Sequence, residues 1–109
     1  MTYEELLPLL IASERSDDET DRGLLAEVLE KALKYVGFRV RWSLMSFEER
    51  AAQDSYRTSA HNAFIDSVRI YLRYKKRIEP AIDDTIPDDR KIIGDWACKL
   101  ACDFGVRNR

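Results

Sequence analysis

At 109 residues, with 45% apolar and 35% charged side chains, the chain has the size and composition of one folded domain spanning residues 1–109, large enough to build a core without disulfides or metal. Its apolar content excludes a disordered chain, and its 4 Gly and 3 Pro are too few turn residues for an all-β architecture. The net charge of −2 hides a division: residues 1–30 set nine acids against Arg15 and Arg22, whereas residues 31–78 set eleven bases against Glu48, Glu49, Asp54 and Asp66.

Thr2-Tyr3-Glu4-Glu5 is a capping-box pattern with Thr2 as N-cap. Pro8 lacks the N–H that a helix starting at Tyr3 would direct to Glu4. Either this helix is kinked, or it begins near Leu7 with Pro8 in its first turn. The segment ends between Ser13 and Asp17. Its apolar stretch from Leu6 to Ala12 follows Glu4 and Glu5 rather than a basic leader, so secretion is not expected. No apolar run approaches about 18 residues, so neither is a membrane span. The expected location is the cytoplasm.

The acidic run Asp17 to Asp21 suits a second helix N-terminus. Leu25, Val28, Leu29, Ala32 and Val36 follow at helical spacing on one face. Gly37 offers a place to stop, and Phe38 to Trp42 alternates as a strand does. A lone strand has no partner in this chain, so the spacing predicts a helix running on to about Leu44.

Ser46-Phe47-Glu48-Glu49 is another capping box. From there to Ile78 no Gly or Pro interrupts the chain, which predicts a central helix over 46–78, about 50 Å long at 1.5 Å per residue. Tyr56, Ala60, Phe64, Val68, Tyr71, Tyr74 and Ile78 form its apolar stripe. Pro80 marks the stop, and Glu79 to Ile86 reads as a linker. Thr85 is the expected N-cap of a last helix, with Pro87 in its first turn. Ile93, Ala97, Leu100 and Phe104 share one face, Trp96 stands beside them, and Gly105 is placed as the C′ residue. The fold expected is all-α: a small antiparallel bundle of about four helices around the long central one.

Polar residues of the central helix fall into two sets. Asn62, Asp66, Arg69 and Arg73 lie within about 60° of one another, opposite the stripe. They form either a solvated face of weak pairs or a polar docking face for a partner or anion. Arg57 and His61 lie beside the stripe, where a half-buried arginine needs an acid. Asp88, Asp89 and Asp95 are the candidates, which predicts a structural network tying the last helix to the central one. A small-ligand pocket around His61 is the alternative. Phe38, Trp42 and Phe47 gather at a junction that a small bundle leaves uncovered, as interface aromatics do.

Catalytic, metal and cofactor sets are not found. Cys98 and Cys102, four apart on a helix, sit near 6 Å between Cα atoms with parallel Cβ vectors, poor disulfide geometry. With the single histidine they do not complete a zinc site. There are no Glu-x-x-His pairs and no phosphate-binding loop. Tyr71 and Tyr74 beside Lys75-Lys76-Arg77 could serve nucleic acid. Tyrosines half in the core and bases at a helix C-terminus explain them as well.

The stretch Arg57 to Asp66 (RTSAHNAFID), followed by Asp89 to Trp96, resembles small all-helical bacterial proteins without a known activity, over the second half of the chain. In size and architecture the chain is similar to small helical immunity proteins against bacteriocins, by analogy of fold alone. The reading that emerges is a cytosolic helical protein that works by binding another protein, self-association included. Nucleic-acid or polyanion binding through the basic middle, and a ligand pocket near His61, are the alternatives.

Overall fold

The computed structural model describes residues 2–75 and 87–107. Among these the chain forms four helices and no strand: α1 (Tyr3–Glu14), α2 (Glu19–Ser43), α3 (Phe47–Tyr74) and α4 (Pro87–Arg107). The all-α bundle expected from the sequence is the one observed. None of these helices is long and apolar enough to cross a membrane.

Helix α1 starts at Tyr3, with the Thr2 side chain accepting from the Glu5 N–H. Pro8 therefore lies inside the helix and does not open it, which removes the alternative start near Leu7. Glu4 and Pro8 are both exposed, so water can replace the donor that Glu4 loses. A 12-residue helix is marginal alone. Leu6 and Leu10, both fully buried, hold it instead, at about 1.5–3 kcal/mol per side chain.

Asp18 caps α2, accepting from the Thr20 N–H at 3.0 Å. The helix passes through Gly37 and ends at Ser43, as the periodicity predicts. Leu25, Val28, Ala32 and Tyr35 form its buried face; Leu29 and Val36 are half-buried at its margin. Ser46 closes a complete capping box with Glu49 at the start of α3. That helix is described to Tyr74, where Tyr74 donates to Asp18, the N-cap of α2, and Lys75 to Asp21 of α2. Its buried residues include Ala60, Phe64, Val68 and Tyr71 from the expected stripe, together with His61, Ile65 and Leu72. Tyr56, placed on that stripe by the spacing, is 60% exposed, because the first turns of α3 extend beyond the core.

Helices α2 and α3 form a long antiparallel hairpin. At 28 residues α3 is about 42 Å long, against a longest molecular dimension of 47 Å. Packing α1 and α4 against this hairpin completes the core with Trp96, Ala97, Leu100 and Phe104. Tyr3 of α1 donates to Asp103 of α4, and Lys99 lies over the Tyr3 ring, so the start of α1 meets the later turns of α4. Helix α4 is described from Pro87, which lies in its first turn, and continues through Gly105 to Arg107. Gly105 is thus a helical residue and not the C′ stop. The expected Thr85 cap, the 79–86 linker and Ile78 lie outside the described residues.

Candidate interaction surface

The turn between α2 and α3 is short and held at both ends. Ser43 Oγ donates to the Val40 carbonyl, the Leu44 N–H to the Arg41 carbonyl, and Ser46 and Glu49 cap each other. Arg50 Nε reaches back to donate to the Trp42 carbonyl at 3.0 Å. Two guanidinium groups lie near the Trp42 ring, Arg57 at 4.9 Å and Arg50 at 5.8 Å from its centroid. Arg41 covers Phe38 in the same way at 4.8 Å. These contacts fix the backbone at the tip of the hairpin, and the tip presents Leu44 at 83% and Phe47 at 85% exposure.

The three aromatics expected at an interface therefore have different surroundings. Phe47 stands in solvent, Trp42 is half-buried beneath arginines, and Phe38 is half-buried against the core. Leu44 belongs with Phe47 and was not singled out by sequence. A leucine just beyond the last turn of a helix looks the same whether it packs or projects.

Arg57 does not reach Asp95. That carboxylate takes Arg39 of α2, at 3.2 Å, and Arg39 also donates to Cys98 Sγ at 3.4 Å. Arg57 Nε is buried with no hydrogen-bond partner among the described residues; the guanidinium rests on Trp42 instead. Asp95, one of the three acids expected for Arg57, thus ties α4 to α2 through Arg39 instead. The side chains of Asp88 and Asp89 lie outside the described residues. His61 is fully buried rather than half-buried, with its ring edge-on to Tyr35 at 5.1 Å and 73°.

Asn62, Asp66 and Arg73 are exposed and Arg69 is half-buried, so this set does face outward from α3. Cys98 is half-buried and Cys102 exposed, both free. No group of three or more His, Cys, Asp or Glu among the described residues could hold a metal ion.

A second polar cluster, which the sequence did not reveal, lies at the opposite end of the hairpin. Ser13 Oγ donates to Asp21 Oδ1 at 2.8 Å and lies 2.6 Å from the Tyr71 hydroxyl; Lys75 Nζ donates to Asp21 Oδ2 at 2.9 Å. Ser13 has one hydroxyl proton and gives it to a carboxylate, so Tyr71 must be the donor in the second bond. Burial alone would raise the Asp21 pKa, but hydrogen bonds from Lys75, Ser13 and Ser16 outweigh it and hold the carboxyl below its ordinary value. Burial pushes the Tyr71 hydroxyl up, so it stays protonated and available as the donor. Ser13 and Tyr71 are both 0% exposed, which makes this network structural and closed to substrate. Residues 8 to 58 positions apart meet here, and no local spacing announces them.

No protein-family model, no curated protein and no solved structure matches the chain.

Proposed function

We propose that this chain is a protein-binding module whose contact surface is the tip of the α2–α3 hairpin. The observation that carries this reading is the pair Leu44 and Phe47, 83% and 85% exposed on a backbone held by a capping box and by Arg50. Large apolar side chains displayed on a rigid element lose little entropy when a partner covers them. The half-buried Trp42 and its two arginines supply the mixture of aromatic and guanidinium groups enriched in interface centres.

The alternatives draw less support. Among the bases of the middle segment, Arg39 and Lys75 are engaged by carboxylates, and Arg41, Arg50 and Arg57 by aromatic rings of the same chain. His61 is buried and packed edge-on against Tyr35.

The test places a photoreactive phenylalanine analogue at position 47 in the cells that make the protein, with the same analogue at exposed Ser59 as control. A discrete adduct of one mass from position 47, absent from 59 and lost when Leu44→Ser is added, is the expected result. No adduct at 47, or the same adducts from both positions, overturns the reading.

A further inference from the structure

A different surface carries an inference beyond the hairpin tip. Helix α2 has two apolar faces. Leu25, Val28, Ala32 and Tyr35 point into the core; Leu33 at 60% and Val40 at 58% exposure, seven residues apart, lie about 100–120° round the helix from the centre of that face, on the solvent side. Between them is Gly37, where an added Cβ would meet no atom within 4 Å. The same outer face carries exposed Glu27 and Glu30 in its N-terminal half and exposed Lys34 and Arg41 in its C-terminal half. Glu30 has only a long 4.0 Å contact with Lys31; Arg41 lies over the Phe38 ring but makes no ion pair among the described residues, which leaves its guanidinium edge for a carboxylate.

We propose that this face binds a second copy of the same chain, α2 against α2, antiparallel about a twofold axis beside Gly37. The pattern is self-complementary in that arrangement alone. On a helical projection Leu33 and Val40 lie on one side of Gly37, Glu30 and Arg41 on the other. A twofold axis normal to two antiparallel helices brings each side onto its own counterpart, so that residue i faces j and j faces i. With the axis between residues 36 and 37, Leu33 stands level with Val40 of the other copy. Glu30 then falls within about 3 Å of level with its Arg41, at 1.5 Å per residue. Each pairing occurs twice. Gly37 lets the backbones approach at the axis, and the opposed helix dipoles add a small favourable term. A parallel pair would turn the charged side of each helix toward the Leu33–Val40 side of the other and set Glu30 level with Glu30 and Arg41 level with Arg41. One helix face offers less than the roughly 800 Å² per partner of a standard interface, so the expected dissociation constant is on the order of 10–100 μM.

The experiment is sedimentation equilibrium of the full chain from about 10 μM to about 1 mM, a range spanning that constant. The expected result is a monomer–dimer equilibrium that weakens with salt. Leu33→Glu should abolish it. Arg41→Glu and Glu30→Arg should each weaken it by on the order of tenfold, since two ion pairs turn repulsive. The double variant carrying both should return to within about threefold of the parent. All three positions are exposed, and unchanged circular dichroism confirms folding. A monomer throughout the range, a dimer indifferent to Leu33→Glu, or a double variant no tighter than the singles overturns the proposal. Leu44 and Phe47 are unchanged in every variant, and Leu33→Glu and Glu30→Arg leave every contact of the tip in place, so a failure read from those two leaves the hairpin-tip reading standing.

Discussion

Removing the Ser13 hydroxyl should be far more damaging than its size suggests. Ser13→Ala takes the acceptor from Tyr71, whose hydroxyl is 0% exposed, and one donor from Asp21, which is 4% exposed. An unsatisfied buried hydroxyl costs about 1–3 kcal/mol, and a lost bond to a carboxylate adds to this, so a total of about 2–4 kcal/mol is expected. Tyr71→Phe leaves the Ser13–Asp21 bond intact and removes one neutral bond, for about 1 kcal/mol. Once Ser13→Ala is present, Tyr71→Phe deletes the stranded hydroxyl. The double variant should therefore be less destabilised than the two singles added together, by on the order of 1 kcal/mol. Urea titrations followed by far-ultraviolet circular dichroism, with equal m-values, measure all four corners of the cycle. A Ser13→Ala cost below about 0.5 kcal/mol, or single effects that simply add, would refute the network as derived.

Two further predictions follow the same logic. Gly94→Ala should destabilise by about 1 kcal/mol, because the new Cβ would lie 3.0 Å from the hydroxyl and 3.2 Å from Cε2 of buried Tyr35, outweighing a helix-propensity gain of similar size. Gly23→Ala, helical with open space around it, should stabilise by about 0.5–1 kcal/mol, and thermal melts of the pair give opposite signs if the packing is right. Stability should also fall at both ends of the pH scale. Asp21 is depressed from its ordinary 3.8, so its contribution is present above that value and lost as acid protonates it. Lys75 is raised from 10.5, chiefly by its hydrogen bond to Asp21, and Tyr71 is raised from 10.0 by burial. Their contributions are present below those values and lost as alkali titrates them. Asp21→Asn should flatten the acid limb of a urea-midpoint against pH curve; an unchanged limb would remove Asp21 as its source.

What the sequence determined by itself was local. Thr2, the acidic run before Thr20, and Ser46 with Glu49 announce helix starts, since a cap satisfies backbone donors within three residues of itself. The 3.6-residue period of Leu25, Val28 and Ala32, or of Ala60, Phe64 and Val68, marks the buried faces, since one helix presents that stripe whatever packs on it. Only the tertiary structure decided which partners those faces meet. Asp95 went to Arg39 rather than Arg57, and Arg57 went to Trp42, because the registry of three helices sets which side chains come level. Pro8 and Gly105 are both helical, since packing of Leu6, Leu10 and Phe104 outweighs a local preference of about 1–3 kcal/mol. Ser13, Asp21, Tyr71 and Lys75 meet across three chain segments, and exposure at Leu44 and Phe47 reflects which surface the other helices leave uncovered. Contacts of that kind depend on distances between elements, and no spacing within one element encodes them.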